Sequence, residues 1–226
     1  MKRADSLEEA ARRREEAMNA EADRRTKTQS RDHIVPDELR TARLLLRRWR
    51  PSDAAALQPV LAANSAHLAP WIPWRVAEPL DTGPLANRLG EFAAAFDATR
   101  EWRYGLFDAR DDSVLGEVSL FPRNSGGRVA FAAADHLEIG YWVRADRNGE
   151  GLATEAAGAA RDLAAAIDGV ARLTIHCDER NAASAAIPQR LGFHLAAVLT
   201  EEPASPGQAP VRVQIWEYRI DRGQDA

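Results

Sequence analysis

The sequence contains little cysteine, no long apolar segment and no excess of positive charge. Its single cysteine, Cys177, excludes an intrachain disulfide framework and a cysteine-rich zinc site. The five histidines are scattered without the spacing of metal ligands, so we expect no metal. The first residues are charged and lack the apolar stretch of a secretory signal, and no segment approaches the length of a membrane-spanning helix. We therefore predict a cytoplasmic protein with no membrane partner.

The formal net charge of -4 over 226 residues argues against a protein whose main role is to bind nucleic acid directly. A hydrophobic content of 45% over this length suits one domain with an appendage. Residues 1–35 are predicted to be that appendage, because they are charged and carry few apolar side chains to bury. We expect this N-terminal extension to be disordered or a solvated helix, and residues 36–226 to form the folded domain.

Hydrophobic periodicity and turn residues predict an α/β chain. Strands are predicted at residues 43–49, 101–107, 113–121, 136–143, 172–177, 194–199 and 211–220. Helices are predicted at residues 52–63, 85–99, 149–167 and 182–191. Pro70 and Pro73 remove amide donors and fix backbone angles, so no regular structure is expected between residues 70 and 74.

The segment after the strand that ends at Val143 has the composition of an anion-binding turn. It contains Gly149 and Gly151 immediately before a predicted helix. Backbone amides in the first turn of a helix lack internal partners, and the helix dipole adds partial positive charge, so a diphosphate can bind there without lysine. Glycine at these positions lets a phosphate approach the amides. Two glycines alone favour an ordinary strand-to-helix turn over an anion site.

A second motif makes the pattern specific. Asn181-Ala182-Ala183-Ser184 is followed by Leu191-Gly192-Phe193, one strand after the glycine loop. With Asn148-Gly149-Glu150-Gly151-Leu152-Ala153, the sequence resembles the GNAT superfamily of N-acetyltransferases, whose cofactor loop has the form Gln/Arg-x-x-Gly-x-Gly/Ala. Over about residues 39–220 it is similar to the RimJ/RimL-like branch, which acetylates the amino termini of ribosomal proteins. The resemblance implies a GNAT fold, an α/β (α+β) arrangement in which helices flank a mixed, mostly antiparallel sheet of about seven strands, splayed between the fourth and fifth.

Acetyl-CoA is the co-substrate that the resemblance implies, with direct acetyl transfer to a primary amine. The implied cofactor-binding residues are Tyr141, Trp142, Val143, Asn148, Gly149, Glu150, Gly151, Leu152, Ala153, Thr154 and Asn181. Two positions depart from the family pattern. Asn148 stands where Gln or Arg is usual. Pro188 lies within the last predicted helix and is expected to kink or shorten it. The position of Arg190, two residues later, depends on that distortion.

Two side chains are candidates for the chemistry itself. Glu138, on the strand next to the expected reaction centre, is our first choice as proton acceptor; the alternative is a structural carboxylate paired with an arginine. Ser184 is expected to protonate the departing CoA thiolate, although Asn181 and Ser184 also suit the start of an ordinary helix. Glu117, Glu201 and Glu202 remain as further candidates for the base.

The acceptor is expected to be the amino terminus of a protein or peptide. Alternatives are a small amine such as an antibiotic, polyamine or amino acid, and a non-catalytic acyl-CoA-binding module. Trp71 and Trp74 are predicted to line the acceptor pocket, or else to fill the edge of the core. A lone buried thiol is usually inert, so we expect Cys177 to carry no covalent acetyl intermediate. The protein is expected to be a monomer or a homodimer.

Overall fold

The computed structural model describes residues 34–201 and 210–221. The chain divides after Asp37 into two units, and the fold described below is that of the second unit, which begins at Glu38. Residues 1–33 of the predicted extension lie outside the described residues, as does Glu202. The predicted boundary between extension and domain therefore stays a prediction.

A single mixed sheet forms the centre of this unit. Its strands are β1 (Glu38–Arg40), β2 (Leu44–Arg48), β3 (Trp102–Asp108), β4 (Val114–Asn124), β5 (Gly127–Arg128), β6 (His136–Val143), β7 (Arg172–Asp178), β8 (His194–Glu201) and β9 (Val211–Arg219). The order is β1-β2-β3-β4-β6-β7-β9-β8, with β5 paired to β4 alone. Only β6 and β7 are parallel among these pairs. The predicted mixed, mostly antiparallel sheet is confirmed, with β1 and β5 as additions that are too short for a periodic sequence signal.

The helices flank this sheet. They are α1 (Ala54–Leu68), α2 (Trp74–Ala77), α3 (Thr82–Asp97), α4 (Leu152–Ala165) and α5 (Ala182–Arg190). The expectation of no regular structure up to residue 74 is wrong at its end. The Pro73 carbonyl accepts bonds from the amides of Val76 and Ala77, and a proline preceding a helix removes no helical bond. Within the described ranges, no helix combines the length and apolarity needed to cross a membrane.

Helix α1 extends five residues beyond the predicted end at residue 63, to Leu68. Its buried stripe continues through Leu57, Leu61, Asn64 and Leu68, which recur at helical spacing. The polar Asn64 interrupts the apolar pattern in the sequence, and this interruption concealed the last turn. Asn64 is buried, its side-chain NH2 donates to the Val60 carbonyl and its side-chain oxygen accepts from the Ala145 amide. Because both polar groups are bonded, the helix continues through Asn64.

The main core lies where α1 and α3 pack on the first strands of the sheet. Trp49 and Phe107 meet edge to face, with ring centroids 5.7 Å apart, and Leu89 and Trp142 are buried in the same cluster. Each large apolar side chain buried there contributes about 1.5–3 kcal/mol. Helix α4 packs on β4 and β6 through its small alanines. This packing fixes the start of α4 against the end of β6.

Strands β6 and β7 separate soon after they pair. Their only parallel register pairs are Leu137 with Leu173 and Glu138 with Thr174, although β6 continues to Val143 and β7 to Asp178. On its other side β6 stays paired to β4 as far as Val143. The fourth and fifth predicted strands are β6 and β7, so the predicted splay is confirmed. It leaves one backbone edge of β6 facing a gap in the sheet.

Candidate active site

The glycine loop between β6 and α4 takes a conformation that exposes backbone amides. Gly149 has φ of 81° and Gly151 has φ of 78°, in the left-handed region that favours glycine. After the Asn148 amide, the next amide along the chain that bonds to a backbone carbonyl is that of Glu155, 3.0 Å from the Gly151 carbonyl oxygen. Among the described residues, the amides from Gly149 to Thr154 have no protein partner, so the start of α4 can bind an anion.

Two contacts hold this loop in place. The Asn64 side chain accepts a bond from the Ala145 amide at 2.7 Å, which ties α1 to the turn that precedes the glycines. Glu155, in the first turn of α4, accepts bonds from the Arg43 backbone at 2.9 Å and from its guanidinium at 2.7 Å. Sequence analysis missed Asn64, since a lone asparagine inside an apolar helix carries no motif.

A cavity of about 800 Å³ lies over the loop. Every residue that we predicted to bind the cofactor lines it, namely Tyr141, Trp142, Val143, Asn148, Gly149, Glu150, Gly151, Leu152, Ala153, Thr154 and Asn181. Its volume lies within the range of known small-molecule sites, about 300–1,000 Å³. The Glu150 carboxylate pairs with Arg147 at 2.7 Å. This pairing neutralises the one acidic side chain among the predicted cofactor residues.

A second cavity of about 230 Å³ adjoins the first at the gap between β6 and β7. The two share lining residues, namely Trp71, Ile72, Tyr141, Trp142, Asn181 and Ser184. Glu138 and His176 line only the smaller cavity. The larger cavity therefore leads from the free amides to a side pocket that contains titratable groups.

Residues 43–194 match the model of a family described as an acetyltransferase (GNAT) domain. The match covers more than half of the chain. The chain belongs to this GNAT acetyltransferase family. It is accordingly an acyltransferase enzyme, and the GNAT fold predicted from the sequence is confirmed.

Known proteins similar to this GNAT chain include a curated relative and many solved structures. The probable N-acetyltransferase YjcK of Bacillus subtilis (strain 168) is 30% identical over 108 residues, which span 48% of this chain and 56% of that relative. The ribosomal L7/L12 alpha-N-protein acetyltransferase RimL, solved with coenzyme A, superposes with a TM-score of 0.69 at 20% identity, covering 83% of this chain and 98% of RimL. The microcin C7 self-immunity acetyltransferase MccE, solved with acetyl-CoA and AMP, gives a TM-score of 0.70 at 19% identity, covering 83% and 98%. At these identities the structural likenesses show the fold.

Tyr141 and Ser184 contact each other where the two cavities join. The Tyr141 hydroxyl donates to the Ser184 carbonyl at 3.1 Å and lies 3.3 Å from its Oγ. That carbonyl is available because Pro188, four residues later, has no amide proton to give it. Helix α5 continues past Pro188 to Arg190, which lines the larger cavity. The proline thus redirects one helical acceptor toward the site.

Asn181 and Ser184 also form the predicted helix start. The Asn181 side chain accepts the Ser184 amide at 3.1 Å, as an N-cap residue does. This bond fixes the Ser184 backbone beside the gap. Both interpretations of the pair are therefore compatible with the geometry, since the same residues cap α5 and line both cavities. Their roles in catalysis and cofactor binding stay predictions.

Glu138 lies between two cationic or basic neighbours. Its Oε2 is 2.7 Å from Arg123 Nη2 and 3.7 Å from His176 Nδ1. Burial, the largest effect, lowers the pKa of His176, and Arg123 acts in the same direction while Glu138 opposes both. The imidazole is therefore neutral near pH 7 and can accept a proton. Sequence analysis missed His176. Thr174 is the register partner of Glu138, and His176 lies two residues further along β7, on the same face of the strand. Strand alternation was therefore the signal that could have found it.

The other candidate bases lie in different surroundings. Glu117 is buried, and it accepts bonds from Arg103 at 2.7 Å, Trp49 at 2.8 Å and Ser119 at 3.0 Å. With its oxygens occupied in this way, Glu117 is held as a structural carboxylate. Glu201 is exposed at the end of β8 and is absent from the lining of both cavities.

The remaining predicted residues differ in what they contact. Trp71 is 40% exposed and lines both cavities, which places it at their common margin. Trp74 begins α2, but its side chain lies outside the described part of the structure. Cys177 is buried against the smaller cavity, and burial raises the pKa of its thiol. A protonated thiol is a poor nucleophile, in agreement with an inert Cys177.

Proposed function

We propose that this GNAT enzyme transfers an acetyl group from acetyl-CoA directly to a primary amine, the α-amine at the amino terminus of a protein or peptide. The observation that carries the proposal is the continuity of the two cavities. Free amides at Gly149–Thr154 lie at one end, and Glu138 lies at the other. This continuity suits a long anionic co-substrate that reaches an amine through the gap in the sheet.

The residues of the larger cavity fit coenzyme A at two points. Unpartnered amides at Gly149–Thr154 suit the diphosphate, and the open edge of β6 from Ile139 to Val143 suits the amide groups of the pantetheine arm. When bound, acetyl-CoA supplies an acyl group already activated as a thioester. An amide on the open β6 edge can donate to the thioester oxygen as negative charge develops on it.

Proton transfer falls to side chains of the smaller cavity and the junction. An attacking amine must be neutral, so Glu138 and His176 accept its proton, directly or through water. Ser184 donates a proton to the departing thiolate. Tyr141 holds Ser184 through the two contacts at its backbone and hydroxyl, and burial raises the pKa of Tyr141, which keeps its hydroxyl protonated as a donor.

The charges of the smaller cavity favour a peptide over a polycationic amine. Three arginines, Arg103, Arg123 and Arg128, line it together with three carboxylates, Glu117, Glu138 and Asp178, so it has no excess of negative charge to attract a polyamine. Arg128 and Trp71 are exposed at its margin, so the end of a chain can enter from solvent. The RimL neighbour is described as an alpha-N-protein acetyltransferase, which supports the same acceptor class. Such acceptors also fit the cytoplasmic setting expected from the sequence.

The test combines a thiol-release assay with intact-mass analysis of the products. The acceptors are short peptides that carry a free amino terminus with an acetylated lysine, or an acetylated amino terminus with a free lysine, and a set of small amines. We expect CoA release and a mass gain of one acetyl group only with the free amino terminus. Ser184→Ala should lower kcat by about tenfold or more and leave the KM for acetyl-CoA nearly unchanged.

Three outcomes would contradict the proposal. Exclusive acetylation of small amines would establish the alternative acceptor class. Acetylation of the lysine peptide alone would establish a side-chain specificity. Tight CoA binding without acceptor-dependent release, for every acceptor, would favour the non-catalytic acyl-CoA-binding module.

A further inference from the structure

The smaller cavity contains an arrangement of arginines around one aromatic ring. The Arg128 guanidinium lies 3.8 Å from the centroid of the Phe121 ring, and that of Arg103 lies 4.9 Å from it. Arg123 is on the same strand as Phe121, two residues further along. All three arginines and Phe121 line the cavity. Three guanidinium groups therefore lie close together in a cavity that Glu117, Glu138 and Asp178 also line, so the charge available to a ligand depends on which guanidinium donors are still free.

These arginines differ in how many of their donors are already bonded. Arg103 donates to Glu101 at 2.9 and 3.3 Å and to Glu117 at 2.7 Å, so each of its three guanidinium nitrogens already has a carboxylate partner. Arg128 makes one bond, to Glu101 at 3.1 Å, although a guanidinium offers five N–H donors. Arg128 therefore retains donors for a ligand.

Arg123 is the second guanidinium with free capacity. Its Nη2 forms an ion pair with Glu138 Oε2 at 2.7 Å. Its Nε is buried without a hydrogen-bond partner among the described residues. A buried donor left unpaired costs about 1–3 kcal/mol. Such a cost is tolerated where a ligand satisfies the group. The indole Nε1 of Trp142, on the wall shared by both cavities, is buried without a partner in the same way.

The local field also favours an anion. Partial burial is the largest cause of the lowered pKa of Arg128, whose side chain is 44% exposed; the charges of Arg103 and Arg123 act in the same direction, and the carboxylates of Glu101 and Glu138 oppose them. Arg128 thus has two guanidinium groups nearby and one carboxylate, Glu101, bonded to it. A carboxylate bound there would relieve the repulsion and form charge-assisted hydrogen bonds, which are about twice as strong as neutral ones.

We propose that the acceptor carries a carboxylate close to its reacting amine, and that Arg128 and Arg123 bind this carboxylate. The inference rests on the proposed amine acetylation and narrows its substrate class. Two sources have the same chemistry: an aspartate or glutamate side chain near the amino terminus of a peptide, and the α-carboxylate of a free amino acid. A carboxylate bound to Arg123 would share that guanidinium with Glu138.

The experiment compares acceptors that differ only in charge. Peptides beginning Ala-Asp and Ala-Asn, and free alanine and alanine amide, are assayed with acetyl-CoA for kcat/KM. We expect the acidic peptide to exceed its amide counterpart by about tenfold or more, equivalent to 1.4 kcal/mol. A preference confined to the free amino acid identifies the α-carboxylate as the source. Arg128→Gln should reduce either preference to near unity with an unchanged KM for acetyl-CoA.

Arg40→Gln is the matched control. Arg40 is exposed on β1 and pairs with Glu38 at 3.1 Å, so the variant removes one charge and one surface ion pair away from the cavity. It should retain the full preference for the acidic acceptor. Equal kcat/KM for acidic and amide acceptors, with no effect of Arg128→Gln, would overturn the inference while leaving amine acetylation intact.

A binding measurement separates this inference from the proposed function. Intrinsic tryptophan fluorescence, from Trp71 and Trp142 in the cavity walls, is titrated with the Ala-Asp and Ala-Asn peptides in the presence of CoA. Charge-dependent binding that Arg128→Gln abolishes supports the carboxylate site even if no acceptor is turned over. Failure of both peptides and of free alanine to bind, with CoA bound normally, overturns it.

Discussion

His176 Nδ1 lies 3.7 Å from Glu138 Oε2, across the two parallel strands where they begin to separate. The pair connects a neutral imidazole to a buried carboxylate that also contacts Arg123. The Arg123 guanidinium lies 2.7 Å from the same carboxylate oxygen and competes for the position that an amine proton would need. The neighbouring imidazole gives the cavity a second group that can accept the proton.

Replacing Glu138 by glutamine tests the base directly. Glu138→Gln keeps the size of the side chain and removes its capacity to accept a proton. We expect kcat to fall by about 10²–10⁴-fold, with acetyl-CoA affinity retained. Single-turnover kinetics and a CoA titration measure the two quantities. Wild-type turnover in the folded variant would assign the role to another group.

The pH profile of kcat/KM should report His176. Burial and Arg123 lower the pKa of His176 below its usual value, and the other charged groups that act on it are Glu138, Glu201 and His136. On acidification through that lowered pKa, the imidazole becomes cationic, pairs with Glu138 and can no longer accept a proton. The rate should therefore fall on the acid side.

His176→Asn is the comparison that isolates this group, since titration of the acceptor amine affects wild type and variant alike. We expect the variant to lose part of the rate at neutral pH and to show an acid limb displaced to lower pH. Superimposable profiles for the two proteins between about pH 5 and 9 would remove His176 from the mechanism.

Gly151→Asp tests the placement of the diphosphate. A carboxylate at the start of α4 would repel a diphosphate and shield the amides, so the KM for acetyl-CoA should rise by about tenfold or more. Gly169→Asp is the matched control, because Gly169 has φ of 84° and a Cβ there meets no atom within 4 Å. Both variants should lose about 1–2 kcal/mol of stability from backbone strain. An unchanged KM in a folded Gly151→Asp protein would refute the assignment.

Asn64→Leu tests how α1 positions the glycine loop. The substitution removes the acceptor of the Ala145 amide, and an unpaired buried amide costs about 1–3 kcal/mol. We expect lower stability in urea denaturation and a several-fold higher KM for acetyl-CoA, with a smaller effect on kcat. Asn87→Leu, at an exposed position of α3, is the control that should alter neither quantity. A KM as low as in the wild type would show that the loop holds its shape without α1.

Glu117→Ala separates a structural carboxylate from a catalytic one. Arg103 and Glu117 are both buried, with side chains 6% exposed, and removal of one partner leaves an uncompensated charge. We expect a loss of about 3–5 kcal/mol in the free energy of unfolding. The circular dichroism melting curve and urea denaturation measure it. A stable Glu117→Ala protein that has lost turnover would instead make Glu117 the base.

The sequence alone specified the features that depend on neighbouring residues. Strand β6 has the bounds predicted for it, because its apolar run is flanked by polar residues, Asp135 before it and Arg144 after it. The exposed amides at Gly149–Thr154 follow from two glycines placed directly before a helix, a local property of the chain. Each could be predicted because no distant residue is needed to form it.

The functional surroundings of that loop were decided by tertiary structure. Glu138 and His176 are far apart in the chain and meet only because β6 and β7 are neighbours in the sheet. Arg128 reaches the cavity through the short hairpin of β4 and β5, where sequence analysis predicted no strand between residues 121 and 136. Side-chain charges act over a few ångströms in space, whatever their separation in sequence, so the charge of the acceptor pocket was fixed by strand order rather than by any motif.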